Sequence, residues 1–138
     1  YKLRTMCNNL PFVDYTNTLD HEFVGDNYPL LLQKYQSSIA ATTANYTIKY
    51  LEIPAAGCLS FMEVTDENHA NYLNFKDGEN AIFINEKNYQ EKFEEFLESP
   101  DNPEWERIAN SGREHVIKNF SNDVAVDSLV KLFKKILY

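Results

Sequence analysis

The sequence predicts a three-layer α/β domain, with a parallel sheet and helices on both of its faces. Three observations carry that expectation. The short apolar segments SSIAATT (37–43), CLSFMEV (58–64) and AIFI (81–84) have the character of strands covered on both sides. Segments with helical spacing alternate with them, the pattern of βαβ units. A chain of 138 residues, 43% hydrophobic and 14% aromatic, can bury one core and is too short to divide into two.

Taken in order, YKLRTMCNNLP reads as the end of a helix that began upstream, so the expectation is a piece of a longer protein. FVDY (12–15) reads as a short strand and the polar 16–27 as a loop. YPLLLQKY (28–35) reads as a short helix with Pro29 in its first turn. The strand 37–43 leads into a helix over NYTIKYLEIPAA, bent near Pro54 and stopped at Gly57, which tolerates positive φ. After the strand 58–64, residues 66–80 suggest a short helix and a turn, and 81–84 a third strand. In 87–98, Tyr89, Phe93, Phe96 and Leu97 fall on one helical face. Asn102 as N-cap and Pro103 behind it open the next helix, whose buried stripe is Trp105, Ile108, Ala109, Gly112, Val116 and Phe120. Ser121 or Asn122 caps a last helix lined on one side by Val126, Leu129, Val130, Phe133, Ile136 and Leu137. Core packing is the expected role of all these apolar residues.

Composition excludes several functions. A net charge of −8 with no Lys/Arg cluster argues against a nucleic-acid surface. No apolar run approaches the roughly 20 residues of a membrane span, and no signal peptide is visible. Cys7 and Cys58 match no metal-site spacing and fit a reducing, cytoplasmic setting. The two sequons at Asn45 and Asn119 are read as chance matches. No histidine stands at ligand spacing, and nothing calls for a metal or another cofactor. Neither a Gly-rich dinucleotide fingerprint nor a P-loop is present. Asp20-His21-Glu22 reads as a solvated turn, and Cys58 as a small buried hydrophobe.

The segment with most chemistry is IAATTANYTIKYLE. A strand, a turn of small hydroxyl residues and a helix start are together the setting in which open α/β sheets bind anions. On a helix beginning near Asn45, the residues Asn45, Lys49 and Glu52 share a face, while Ile48, Leu51 and Ala55 turn to the sheet. A carboxylate so placed can accept two hydrogen bonds from a vicinal diol, and a lysine one turn earlier can approach phosphate. Spacing alone favours a plainer reading, a solvated Lys49–Glu52 ion pair worth a few tenths of a kcal/mol.

In order along the chain, KYLEIPAAGCLSFMEV, NFKDGENAIFIN and IANSGREHVIKNFS resemble the C-terminal half of glycosyltransferases built from two facing Rossmann-like domains, the GT-B fold. The likeness is to group-1-like glycosyl transferases that include the spore-maturation-type family, and it spans residues 28–137. It implies a Rossmann-like domain that binds a nucleotide-diphospho-sugar, with Glu52 on the ribose hydroxyls. Thr43, Asn45, Tyr46 and Thr47 would then lie near the diphosphate and sugar, with Lys49 beside them. Gly57 fits a glycine that lets helix and strand pack closely. Many retaining members carry an acid eight positions before the glutamate; here that position is Ala44. The acceptor domain would lie upstream, so the fragment alone would lack activity. A non-catalytic α/β interaction module is the alternative.

Overall fold

A computed structural model describes residues 1–15 and 22–137. Its three strands, β1 (Ser37–Ala40), β2 (Leu59–Glu63) and β3 (Ile82–Ile84), form one parallel sheet in the order β1-β2-β3. The helices are α1 (Lys2–Asn8), α2 (Tyr28–Leu32), α3 (Lys49–Ala55), α4 (Tyr89–Glu98), α5 (Pro103–Phe120) and α6 (Asn122–Leu137). The α/β layering, the parallel sheet and the helical C-terminal segment agree with the expectation from sequence.

Period-two alternation along the strands divides the core. Leu59, Phe61, Ile82 and Ile84 face α1 and α4, where Phe61 meets Phe93 edge-on at 4.9 Å between ring centroids. Ala40, Cys58, Met62 and Ala81 face the other way, onto Leu32 of α2 and Tyr50 and Ile53 of α3. Helix α5 serves both clusters, through Trp105, Ile108 and Ala109 on the first and Val116 on the second. Its start is capped as expected, the Asn102 side chain accepting from Glu104 N at 3.0 Å. Gly112 lets α5 approach the turn before β3, because a Cβ there would stand 2.5 Å from the Asn80 carbonyl oxygen.

Several expectations are corrected. Residues 12–15 form no strand; a strand needs a ladder partner, and Phe12 instead packs edge-on against Phe93. The helix expected from Asn45 begins at Lys49, because Asn45 takes a left-handed φ of +55° and Asn68 O holds the Tyr46 N–H at 2.7 Å. Its buried residues are Tyr50, Ile53 and Pro54, and Ile48 is 68% exposed. Residues 66–80 do hold a short helix and then a turn, the helix being a 3₁₀ one (Ala70–Leu73) between left-handed His69 and Asn74 and the turn lying at 78–80. Gly57 does have φ of +85°, but a Cβ there would meet nothing within 4 Å, so its role is conformational and not close packing. Leu97 is 46% exposed, and the apolar stripe of α6 is exposed along its whole length. Asp20 and His21 lie outside the described residues.

Candidate functional site

The loops that follow β1 and β2 meet at the carboxyl ends of these strands, and a buried polar network joins them. Asn68 has no solvent exposure, and Tyr50 has none either. The Asn68 side-chain amide donates to Thr42 O at 3.0 Å and to Glu63 O at 2.7 Å, while its Oδ1 accepts from Thr65 N and Ala70 N. The Tyr50 hydroxyl donates to Glu63 O at 3.0 Å and accepts from Thr42 N. Buried backbone groups need such partners, so these two side chains fix where the loop 41–48 runs. Burial pushes the Tyr50 phenol up to about 12.

Lys49 and Glu52, both half-buried, stand in the first turn of α3 at the end of that loop. Among the described residues no ion pair closes between them within 4.0 Å; the pairs that form are Lys2–Glu86, Lys76–Glu79, Lys92–Glu95 and Arg107–Glu104. The solvated pair that spacing favours is therefore not what the fold makes. The Lys49 ammonium lies over the Tyr28 ring, 5.3 Å from its centroid. Burial lowers its pKa first, Arg4 lowers it further, and the Glu52 charge opposes both. Burial and then the Glu52 charge raise the Tyr28 phenol to about 12.

The other expected residues do not all join them. The Thr43 hydroxyl turns to α1 and accepts from the Tyr1 amino group at 2.7 Å and from Lys2 N at 3.3 Å. Tyr46 packs on Tyr50 with ring centroids 6.3 Å apart. Asn45 leads the left-handed turn, off the helix face it was expected to share with Lys49 and Glu52. Thr47 serves through its carbonyl, which accepts Tyr50 N at 3.1 Å, while Ile48 O accepts Leu51 N and Glu52 N at 2.9 Å. The α3 start thus has most of its N–H groups engaged, and the free chemistry there is in the Lys49 and Glu52 side chains.

Sequence reasoning missed Arg4, Tyr28, Tyr50, Glu63 and Asn68. Glu63 ends β2, and its Oε2 is buried with no hydrogen-bond partner among the described residues. Burial raises its pKa, aided by Glu86 and Glu67 and opposed by the terminal amino group of Tyr1. Among the described residues, no group of three His, Cys, Asp or Glu side chains is placed to hold a metal ion.

Compared with known families, the chain matches one described as glycosyl transferase-like over residues 12–131. No curated protein and no solved structure matches it.

Proposed function

The chain belongs to the glycosyl transferase-like family, and we propose that it is the donor-binding domain of such a transferase. On this reading it is the C-terminal half of a GT-B enzyme, akin to the spore-maturation-type branch. It holds a nucleotide-diphospho-sugar as substrate for transfer to an acceptor on a further, N-terminal domain. A reducing cytoplasm suits its two free, buried cysteines. No helix among the described residues is long and apolar enough to cross a membrane.

One observation supports the reading: Glu52 is half-buried beyond the carboxyl end of β1 and, among the described residues, forms no ion pair with Lys49. A carboxylate in that position can accept from both hydroxyls of a ribose, and Lys49 can reach the diphosphate beside it. In catalysis this half would bind and orient the donor and offset charge developing on the departing diphosphate. On this reading Thr43, Asn45, Tyr46 and Thr47 would flank the donor from the loop before α3, although the Thr43 hydroxyl is engaged by Tyr1 and Lys2. Ala44 cannot supply an acid, so the binding role is better supported than a catalytic one.

Nuclear magnetic resonance of the labelled chain, titrated with nucleotide-diphospho-sugars such as UDP-glucose and GDP-mannose, tests this. Shifts are expected to cluster in 42–52 and to vanish in Glu52→Ala, with no sugar turnover by residues 1–138 alone. A chain unmoved by every nucleotide sugar would instead support the interaction module, which the exposed apolar stripe of α6 favours.

A further inference from the structure

At the start of α3, Lys49 turns to Tyr28 of α2, whereas Tyr46 just before it gives its N–H to Asn68 O in the loop after β2, at 2.7 Å. That second loop carries an aromatic pair that the donor reading does not use. The Tyr72 ring is 71% exposed, although it belongs to a 3₁₀ turn whose ends, Ala70 and Leu73, are buried. His69, itself exposed, stacks on it with ring centroids 5.9 Å apart and 30° between the planes. One face of the Tyr72 ring is thus backed, and the other is presented to solvent. The arrangement is held in place. His69 and Asn74 take left-handed φ of +59° and +56°, and Tyr72 N donates to His69 O at 3.1 Å. Such backbone persists where its surroundings fix it, as Asn68 does here through the bonds its Oδ1 accepts from Thr65 N and Ala70 N.

Polar side chains stand in the same loop. Asp66 and Glu67 are exposed, and neither is in an ion pair among the described residues. The Asn71 amide donates to Asp66 Oδ1 at 3.4 Å, a long bond that leaves both groups free to take a better partner. These groups define a ligand class. The open face of an aromatic ring is the negative side of its quadrupole and attracts the C–H face of a sugar. Carboxylates accept from hydroxyls, and a carboxamide both donates to them and accepts from them. Two unpaired carboxylates repel phosphate, which sets this loop apart from the Lys49 side of the site.

We propose that Tyr72, backed by His69, is a stacking platform for a neutral sugar ring of the acceptor, with Asp66 and Asn71 on its hydroxyls. The choice of a sugar rests on the transferase reading. The platform goes beyond that reading by giving this half of the enzyme a hold on the acceptor. Tyr46, 40% exposed and tied to Asn68, lies between the platform and the residues that would bind the donor.

The labelled chain is to be titrated with maltotetraose, cellotetraose, mannotetraose and chitotetraose, neutral probes that carry no nucleotide. At least one is expected to shift the amides of 65–74 and the Tyr72 ring signals. Tyr72→Ala should weaken that binding about tenfold and Tyr72→Trp should preserve it, since stacking needs the ring and not the hydroxyl. Tetragalacturonate, similar in size but anionic, should bind about tenfold more weakly than the neutral probe. The UDP-glucose shifts at 42–52 that test the donor reading should be unaltered in Tyr72→Ala, so that either reading can fail alone. Silence of 65–74 toward every neutral probe would overturn the platform, and so would undiminished binding by Tyr72→Ala. Tighter binding of tetramethylammonium than of any sugar would replace it with a cation site. Dimers that Tyr72→Ala abolishes would also refute it, because a second copy would then cover the ring.

Discussion

Asn68 shows how one buried side chain can place a candidate site. It donates to two carbonyls and accepts from two N–H groups, all backbone, so its removal leaves several buried groups unpaired. Each such group costs about 1–3 kcal/mol, with strong non-additivity, so Asn68→Ala is expected to lower the unfolding free energy by about 3 kcal/mol. Urea denaturation measures this, and a change below about 1 kcal/mol would mean that water replaces the network. Because the Asn68 side-chain amide also holds Thr42 O, the same variant should loosen the loop carrying Thr43, Asn45 and Thr47, without touching them. The dependence was not readable in advance: the network joins residues 26 positions apart, and asparagine in a polar turn looks like any solvated turn residue.

Among the elements, legibility followed how far each signal depends on contacts between distant segments. The positions of β1, β2 and β3, the Asn102 cap and the buried face of α5 were readable because local periodicity and capping chemistry specify them. The start of α3 was misread because Asn68 and the left-handed Asn45, not helix propensity, decide where it begins. As to the site, the adjacency of Glu52 and Lys49 was readable, but not that the Lys49 ammonium would lie over the Tyr28 ring. Helix α6 shows the limit most plainly. Its period marks an apolar face but not what that face meets, and Phe133 is 52% exposed where Phe93 on α4 is 4%. Phe133→Ser is therefore expected to change stability by less than about 0.5 kcal/mol, whereas Phe93→Ala should cost about 3–5 kcal/mol. Comparable losses from the two variants in thermal melts would show that α6 is covered in solution.

Across the whole molecule, the carboxyl ends of the strands gather charge that couples folding to pH. Glu63 and Glu86 end or follow β2 and β3, Glu67 lies in the loop between them, and the Tyr1 amino group and Lys2 approach from α1. Burial dominates at Glu63 and raises its pKa above the ordinary value of 4.5. The folded chain then holds this proton more tightly than the unfolded chain. Its contribution to stability is thus least unfavourable below the ordinary value and worsens as pH rises from there through the folded pKa. The Glu104 carboxylate, held down by Arg107, has the opposite sign, but it is fully exposed and its effect is screened. The comparison that isolates Glu63 is Glu63→Gln, which removes the charge and leaves its backbone carbonyl to Tyr50 and Asn68. The variant is expected to match the parent chain near pH 4 and to exceed it in stability at pH 7, in urea titrations run across that interval. Stability lower than the parent's at pH 7 would mean that the ionised carboxylate has a favourable partner at the strand ends, and that burial is not the dominant influence on it.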